Sequence, residues 1–208
     1  MRTYIKLGLT ALIAAMLLAS AVSTAAARNL EFSTLRFRVT WSNLEFQTGS
    51  LRIRCQITLE GSFHSRTIAK VERLLIGAIT RINIKEEICV EGRVRPAQAP
   101  PWHLTYEGFT GTLPSIVTVR FLLQRFQFLT EVAGVNCKFG TAVDNLTFSG
   151  LLNGAMEWTN LVPLTGRNIA HLLEGSLLCP TQGTLVASNQ DGVVTFLETA
   201  LRIRIRLI

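Results

Sequence analysis

An all-β fold, an antiparallel β-sandwich or partly closed barrel, is what this sequence predicts, and three observations carry the prediction. Long runs alternate apolar with polar residues. Turn residues recur about every ten to fifteen positions. Beyond an apolar N-terminal leader, no stretch demands a long helix. The clearest run is 51–63. There Leu51, Ile53, Cys55, Ile57, Leu59 and Phe63 alternate with Arg52, Arg54, Gln56, Thr58, Glu60 and Ser62, and Gly61 interrupts the apolar row. A period of two on this scale belongs to a strand with one buried and one wet face.

Residues 1–27 have the form of an export signal, a helix ahead of the β domain. Arg2 and Lys6 make a positive start, 7–19 an apolar run, and Ala25, Ala26 and Ala27 a small-residue cleavage site. Gly8 and Thr10 break the run, which falls short of the roughly 20 apolar residues that span a bilayer. Cleavage near Arg28 is therefore expected, leaving residues 28–208 as a single β-sandwich domain with no transmembrane helix. The expected location is secreted or extracytoplasmic: cell surface, periplasm or extracellular space.

Four cysteines follow the leader: Cys55, Cys89, Cys137 and Cys179. An even number in an oxidising compartment predicts two disulfides. Of the three possible pairings, 55–89 and 137–179 are favoured because near neighbours in sequence tend to be neighbours in a β fold. The chain-entropy argument values each bridge at roughly 3–4 kcal/mol.

Taken in order, Leu35, Phe37, Val39 and Trp41 alternate with Arg36, Arg38 and Thr40, and the turn at 47–50 predicts a hairpin of 34–46 with 51–64. Residues 68–79 fit a helix face through Ile68, Val71, Leu75 and Ile79, but the β-branched Ile76, Ile79, Ile82 and Ile84 favour a bent strand. Residues 86–94 are expected to be extended. Pro96, Pro100 and Pro101 mark 95–101 as a proline-rich crossover between sheets, since proline does not donate to a central ladder. Trp102, Leu104 and Tyr106 restart the alternation, and 116–130 reads as one long strand. Asn153-Gly154 predicts a tight hairpin. Residues 168–179 and 184–187 form further strands, Asp191-Gly192 a turn, and 193–208 the closing strand region.

Without Arg2 and Lys6 the exported chain carries 19 basic and 14 acidic residues, a net charge of +5. Arg36 and Arg38, Arg52 and Arg54, and Arg202, Arg204 and Arg206 occupy alternate strand positions, so each group lies on one face. Such a face is either simply solvated or a cationic stripe for anionic polysaccharide or envelope lipid, with salt-dependent binding. Nucleic acid is not an expected partner for an exported protein, and oligomerisation stays open.

The residues offer no catalytic constellation. His64, His103 and His171 lie far apart, no spacing typical of zinc or calcium occurs, and G-x-S-x-G is absent. No catalytic, cofactor or metal residue is assigned. Trp41, Trp102 and Trp158 are either core or an aromatic platform for a glycan ring or lipid. Asn145-Leu146-Thr147 is a glycosylation sequon. The function read from these features is a non-enzymatic binding or structural module. One alternative is a membrane-associated β-assembly or pore with an arginine-lined face. The other is an extracellular hydrolase whose residues converge only in space.

Overall fold

The computed structural model describes residues 29–141 and 146–208. The expected leader, 1–27, and the sequon residue Asn145 lie outside the described residues. The strands in chain order are β1 (Asn29–Phe32), β2 (Arg36–Thr48), β3 (Leu51–Phe63), β4 (Thr67–Ala69), β5 (Leu75–Ile84), β6 (Arg93–Pro96), β7 (Trp102–Thr112) and β8 (Ser115–Gln124). They continue with β9 (Gln127–Val132), β10 (Val135–Gly140), β11 (Leu146–Leu152), β12 (Glu157–Pro163), β13 (Ile169–Gly175), β14 (Gln182–Val186), β15 (Val193–Phe196) and β16 (Ile203–Leu207).

These strands close an eight-stranded antiparallel barrel in the circuit β2–β3–β5–β7–β8–β11–β12–β15 and back to β2. Two outer sheets grow from it. One runs β14–β13–β10–β9–β6 from the second half of β2, and the other runs β16–β1–β4 from β12. Of the two all-β architectures expected, a sandwich or a partly closed barrel, the structure takes the barrel, and closes it fully. Its closure depends on β2 exchanging partners midway. Residues 37–40 pair with β15 and 45–47 with β14. Between them a bulge at Ser42 and Asn43 frees two amides, which donate to the Asp191 carboxylate at 2.7 and 2.9 Å.

The β2–β3 hairpin carries the expected pairing, with Val39 opposite Leu59 and Thr48 opposite Leu51. In β3 the apolar row is buried and the Arg, Gln, Thr and Glu row faces out. Gly61 does not leave a gap in the row: a Cβ there would stand 2.6 Å from Phe37 Cζ, so the missing side chain is the seat of the Phe37 ring.

Several elements differ from expectation. The span 116–130 is two strands, because Arg125 takes a left-handed φ of 61° and the chain passes from the barrel to the outer sheet. Residues 86–94 are not extended throughout: Glu86–Ile88 form one 3₁₀ turn before β6. The closing region divides into β15 and β16. The segment 97–101 joins β6, paired with β9, to β7, paired with β5 and β8.

The Asn153-Gly154 hairpin uses a four-residue connection whose positive φ falls on Met156, at 58°. Asn153 organises it with its side chain. Its Oδ1 accepts the Ala155 and Glu157 amides at 3.0 and 2.9 Å, and its Nδ2 donates to Glu157 Oε2 at 3.0 Å. That donor, aided by the facing Arg204 and Arg202 guanidiniums and opposed by desolvation, holds the Glu157 carboxyl below the usual carboxylate value. A carboxyl that releases its proton more readily when folded stabilises the fold above its unfolded-chain value, and this contribution fades as pH falls through the lowered value. NMR titration is expected to place the Glu157 midpoint below that of exposed glutamates, and Asn153→Ala to raise it. An ordinary midpoint in the native chain would contradict the hydrogen-bonded geometry.

Both disulfides are as expected, Cys55–Cys89 and Cys137–Cys179, with Cα separations of 4.4 and 5.7 Å. The first ties the 3₁₀ segment to β3. The second ties β10 to the connection between β13 and β14. One continuous core fills the space between strands. Phe32, Phe37, Phe63 and Phe121 gather about Trp158, and Phe126, Phe128 and Phe139 about Phe46 and Trp102. Against the second group lies an apolar cavity of about 30 Å³ lined by Trp41, Phe46, Ile53, Phe128 and other carbon-rich side chains. It is about the size of one water and offers a water no polar partner.

Candidate functional site

The charged residues of this chain follow from strand parity. On β2, β3 and β5 every second side chain enters the core, which turns Arg38, Thr40, Gln56, Thr58, Glu60, Arg81, Asn83 and Lys85 onto one outer wall, where they line a shallow concavity. At its centre Glu60 accepts two hydrogen bonds from Arg38, at 3.0 and 2.8 Å, and Arg81 stands 3.8 Å away. The side chain of Glu60 is 16% exposed and that of Arg81 74%. Thr40 and Thr58 share a hydrogen bond across the strands at 3.2 Å. Three cations against one carboxylate leave the wall positive, with donors held in position by β pairing.

The arginines expected to form a cationic stripe are placed as follows. Arg52 and Arg54 share the outer face of β3 but sit toward its start, facing Glu45 at 3.9 Å and Glu91 at 3.4 Å. Arg204 and Arg206 point outward from β16, Arg204 toward Glu157 at 3.5 Å and Arg206 opposite Glu31 in the strand register. Arg202 precedes β16 and donates to the Thr159 carbonyl at 3.4 Å. The fold does not join the two groups: β2, β15 and β12 intervene between β3 and β16. None of these arginines lines a lumen. They face outward while phenylalanine, tryptophan, isoleucine and valine fill the barrel, which reverses the arrangement of a pore with a cationic interior. Among the described residues no helix is long and apolar enough to cross a membrane.

The three tryptophans form no surface platform. Trp41 and Trp102 are 0% exposed and Trp158 1%, and each indole N–H donates to a carbonyl, of Leu161, Gln98 and Asn160 respectively. They are core, because all three fall on inward strand positions of a barrel that needs large side chains to fill it. His64 and His103 lie on the barrel wall, one at the end of β3 and one on β7, whereas His171 is on β13 of the outer sheet. Among the described residues no group of three His, Cys, Asp or Glu side chains is placed to hold a metal ion.

One charged group escaped sequence reasoning. Glu107, at a bulge in β7, is buried to 3% side-chain exposure and ion-paired with Arg167 from the connection after β12. Its second oxygen, the Arg120 Nε and the hydroxyls of Thr105 and Thr147 are also buried without partners. The pair bridges two chain segments 60 residues apart. The Glu-Gly step at 107–108, out of phase with the alternation, was its only signal in the sequence. In comparisons with known proteins, no family model, no curated protein and no solved structure matches the chain.

Proposed function

We propose that this chain is an exported, disulfide-stabilised binding module without catalytic activity, and that the β2–β3–β5 wall takes an acidic polysaccharide. The observation that carries this reading is the concavity in which Arg38, Arg81 and Lys85 surround the single carboxylate of Glu60, flanked by Gln56 and Asn83. Arginine presents a planar fork to carboxylate or sulfate, lysine a compact charge, and the neighbouring amides and hydroxyls suit sugar hydroxyls. Glu60 holds Arg38 in place beforehand, which reduces the rotamer freedom lost on binding.

Binding to dextran sulfate at low and high salt tests this. Affinity is expected to fall with salt, and Arg81→Ala and Lys85→Ala are each expected to weaken binding about fivefold, near 1 kcal/mol for a solvent-exposed charge contact. Arg206→Ala, on the far side of the barrel, should leave it unchanged. Equal loss from all three variants would show that net charge alone attracts the polymer. Affinity unmoved by Arg81→Ala and Lys85→Ala would remove this wall from consideration.

A further inference from the structure

At one end of the outer sheet three connections meet: 48–51 between β2 and β3, 132–136 between β9 and β10, and 175–182 between β13 and β14. Their adjacency is fixed by the Thr48 hydroxyl donating to the Gln182 carbonyl at 2.7 Å, by the pairing of Cys137 with Gly175, and by the Cys137–Cys179 disulfide. None of these residues is charged, in a chain where 17% of residues are. From this uncharged end Leu177 and Leu178 project at 106% and 79% exposure. Other large apolar side chains are exposed among the described residues, but none as far as these two: the next is Leu201 at 64%, and the pair is adjacent.

The projection is built rather than frayed. Ser176 Oγ accepts the Leu178 amide at 3.2 Å, its carbonyl accepts the Cys179 amide at 2.9 Å, and the disulfide anchors the next position. The nearest charges border these connections as pairs along the strands, Lys138 with Glu174 and Arg95 with Glu131, each at 3.8 Å, and Arg52 with Glu45 at 3.9 Å. The geometry points to a lipid surface as the occupant: Leu177 and Leu178 insert among the acyl chains just below the headgroups, and the paired charges remain at headgroup level. The composition favours lipid over a protein pocket. The three connections offer Leu, Val, Ala, Gly, Ser, Thr, Cys and Pro with the amides of Asn136 and Gln182, and lack the Trp, Tyr and Arg that anchor protein interfaces. This inference does not rest on the polysaccharide reading, since the two surfaces use different residues.

Flotation of the oxidised, exported protein with vesicles of phosphatidylcholine alone tests it. The protein is expected to co-float, with little dependence on salt. Leu177→Ser combined with Leu178→Ser is expected to lower partitioning about hundredfold, roughly tenfold for each partly buried leucine, with an unchanged melting temperature. Leu177→Trp is expected to give a blue-shifted emission on vesicle addition. No flotation of the native protein, or flotation that survives the double serine change, overturns the inference. So does flotation confined to phosphatidylglycerol vesicles and abolished by salt, which would assign binding to the arginines. A concentration-dependent dimer abolished by the serine pair overturns it in favour of a second copy.

Discussion

Trp158→Ala is expected to lower unfolding free energy by about 3–5 kcal/mol, the range for removing a buried large aromatic side chain. The indole is the hub of the first aromatic group, with ring centroids of Phe121, Phe37, Phe32 and Phe63 at 5.1, 5.9, 6.3 and 6.3 Å. Its N–H donates to the Asn160 carbonyl at 3.1 Å, and its five-membered edge rests where Gly150 has no side chain. Truncation leaves four phenylalanines facing a void that strands locked in a closed barrel do not collapse to fill. Urea unfolding should show a lower midpoint with a similar slope, and Trp158→Phe should recover part of the loss. A glycan-stacking platform would behave otherwise, with stability kept and ligand affinity lost. A fully stable Trp158→Ala variant would mean that the indole is not the hub described.

The same parity that buries Trp158 explains what was legible in the sequence. Strand β3 was readable residue by residue because burial on one face and solvent on the other impose a strict period of two from Leu51 to Phe63. The two disulfides were readable because strand pairing keeps sequence neighbours close. What alternation does not encode is which strands meet across long separations. Barrel closure rests on β15, four residues long, placed between β2 and β12, with Asn160 opposite Val193 as its one register pair on the β12 side. A segment so short carries no pattern that distinguishes closure from an open sandwich.

Chain breaks were hidden for a related reason. Phe121, Leu123, Phe126 and Phe128 are all core residues, so the apolar signal runs through Arg125, where the backbone turns left-handed and changes sheets. The Glu107–Arg167 pair was illegible because its two halves reside on separate elements and are joined only by the fold. The cationic wall lay between these extremes. Arg38 and Glu60 were each placed on outer faces by alternation, but their pairing with each other and with Arg81 needed the register of three strands.

Gly192→Ala is expected to cost about 2–5 kcal/mol, more than one methyl on a turn usually does, because the residue sits at the barrel's seam. Its carbonyl accepts the Leu161 amide at 2.8 Å, while the Trp41 indole N–H donates to the Leu161 carbonyl at 2.8 Å. The Asn160 amide group donates to the Asp191 carbonyl at 2.9 Å, and the Asp191 carboxylate holds the β2 bulge. A Cβ on Gly192 would overlap both Leu161 O and Trp41 Nε1, two atoms hydrogen-bonded to each other, and φ there is +68°. Left-handed backbone strain contributes about 1–2 kcal/mol for a side-chain-bearing residue. Separating a buried donor from its acceptor adds about 1–3 kcal/mol. Gly134→Ala isolates the first effect, since φ is +80° there and an added Cβ meets nothing within 4 Å, so it should lose only about 1–2 kcal/mol. Hydrogen exchange locates the damage: Gly192→Ala should speed exchange of the Trp41 indole and Leu161 amide protons while leaving the β2–β3 hairpin amides protected. Equal stability of the two alanine variants, or an undisturbed Trp41 indole, would show that the barrel is not held shut at this point.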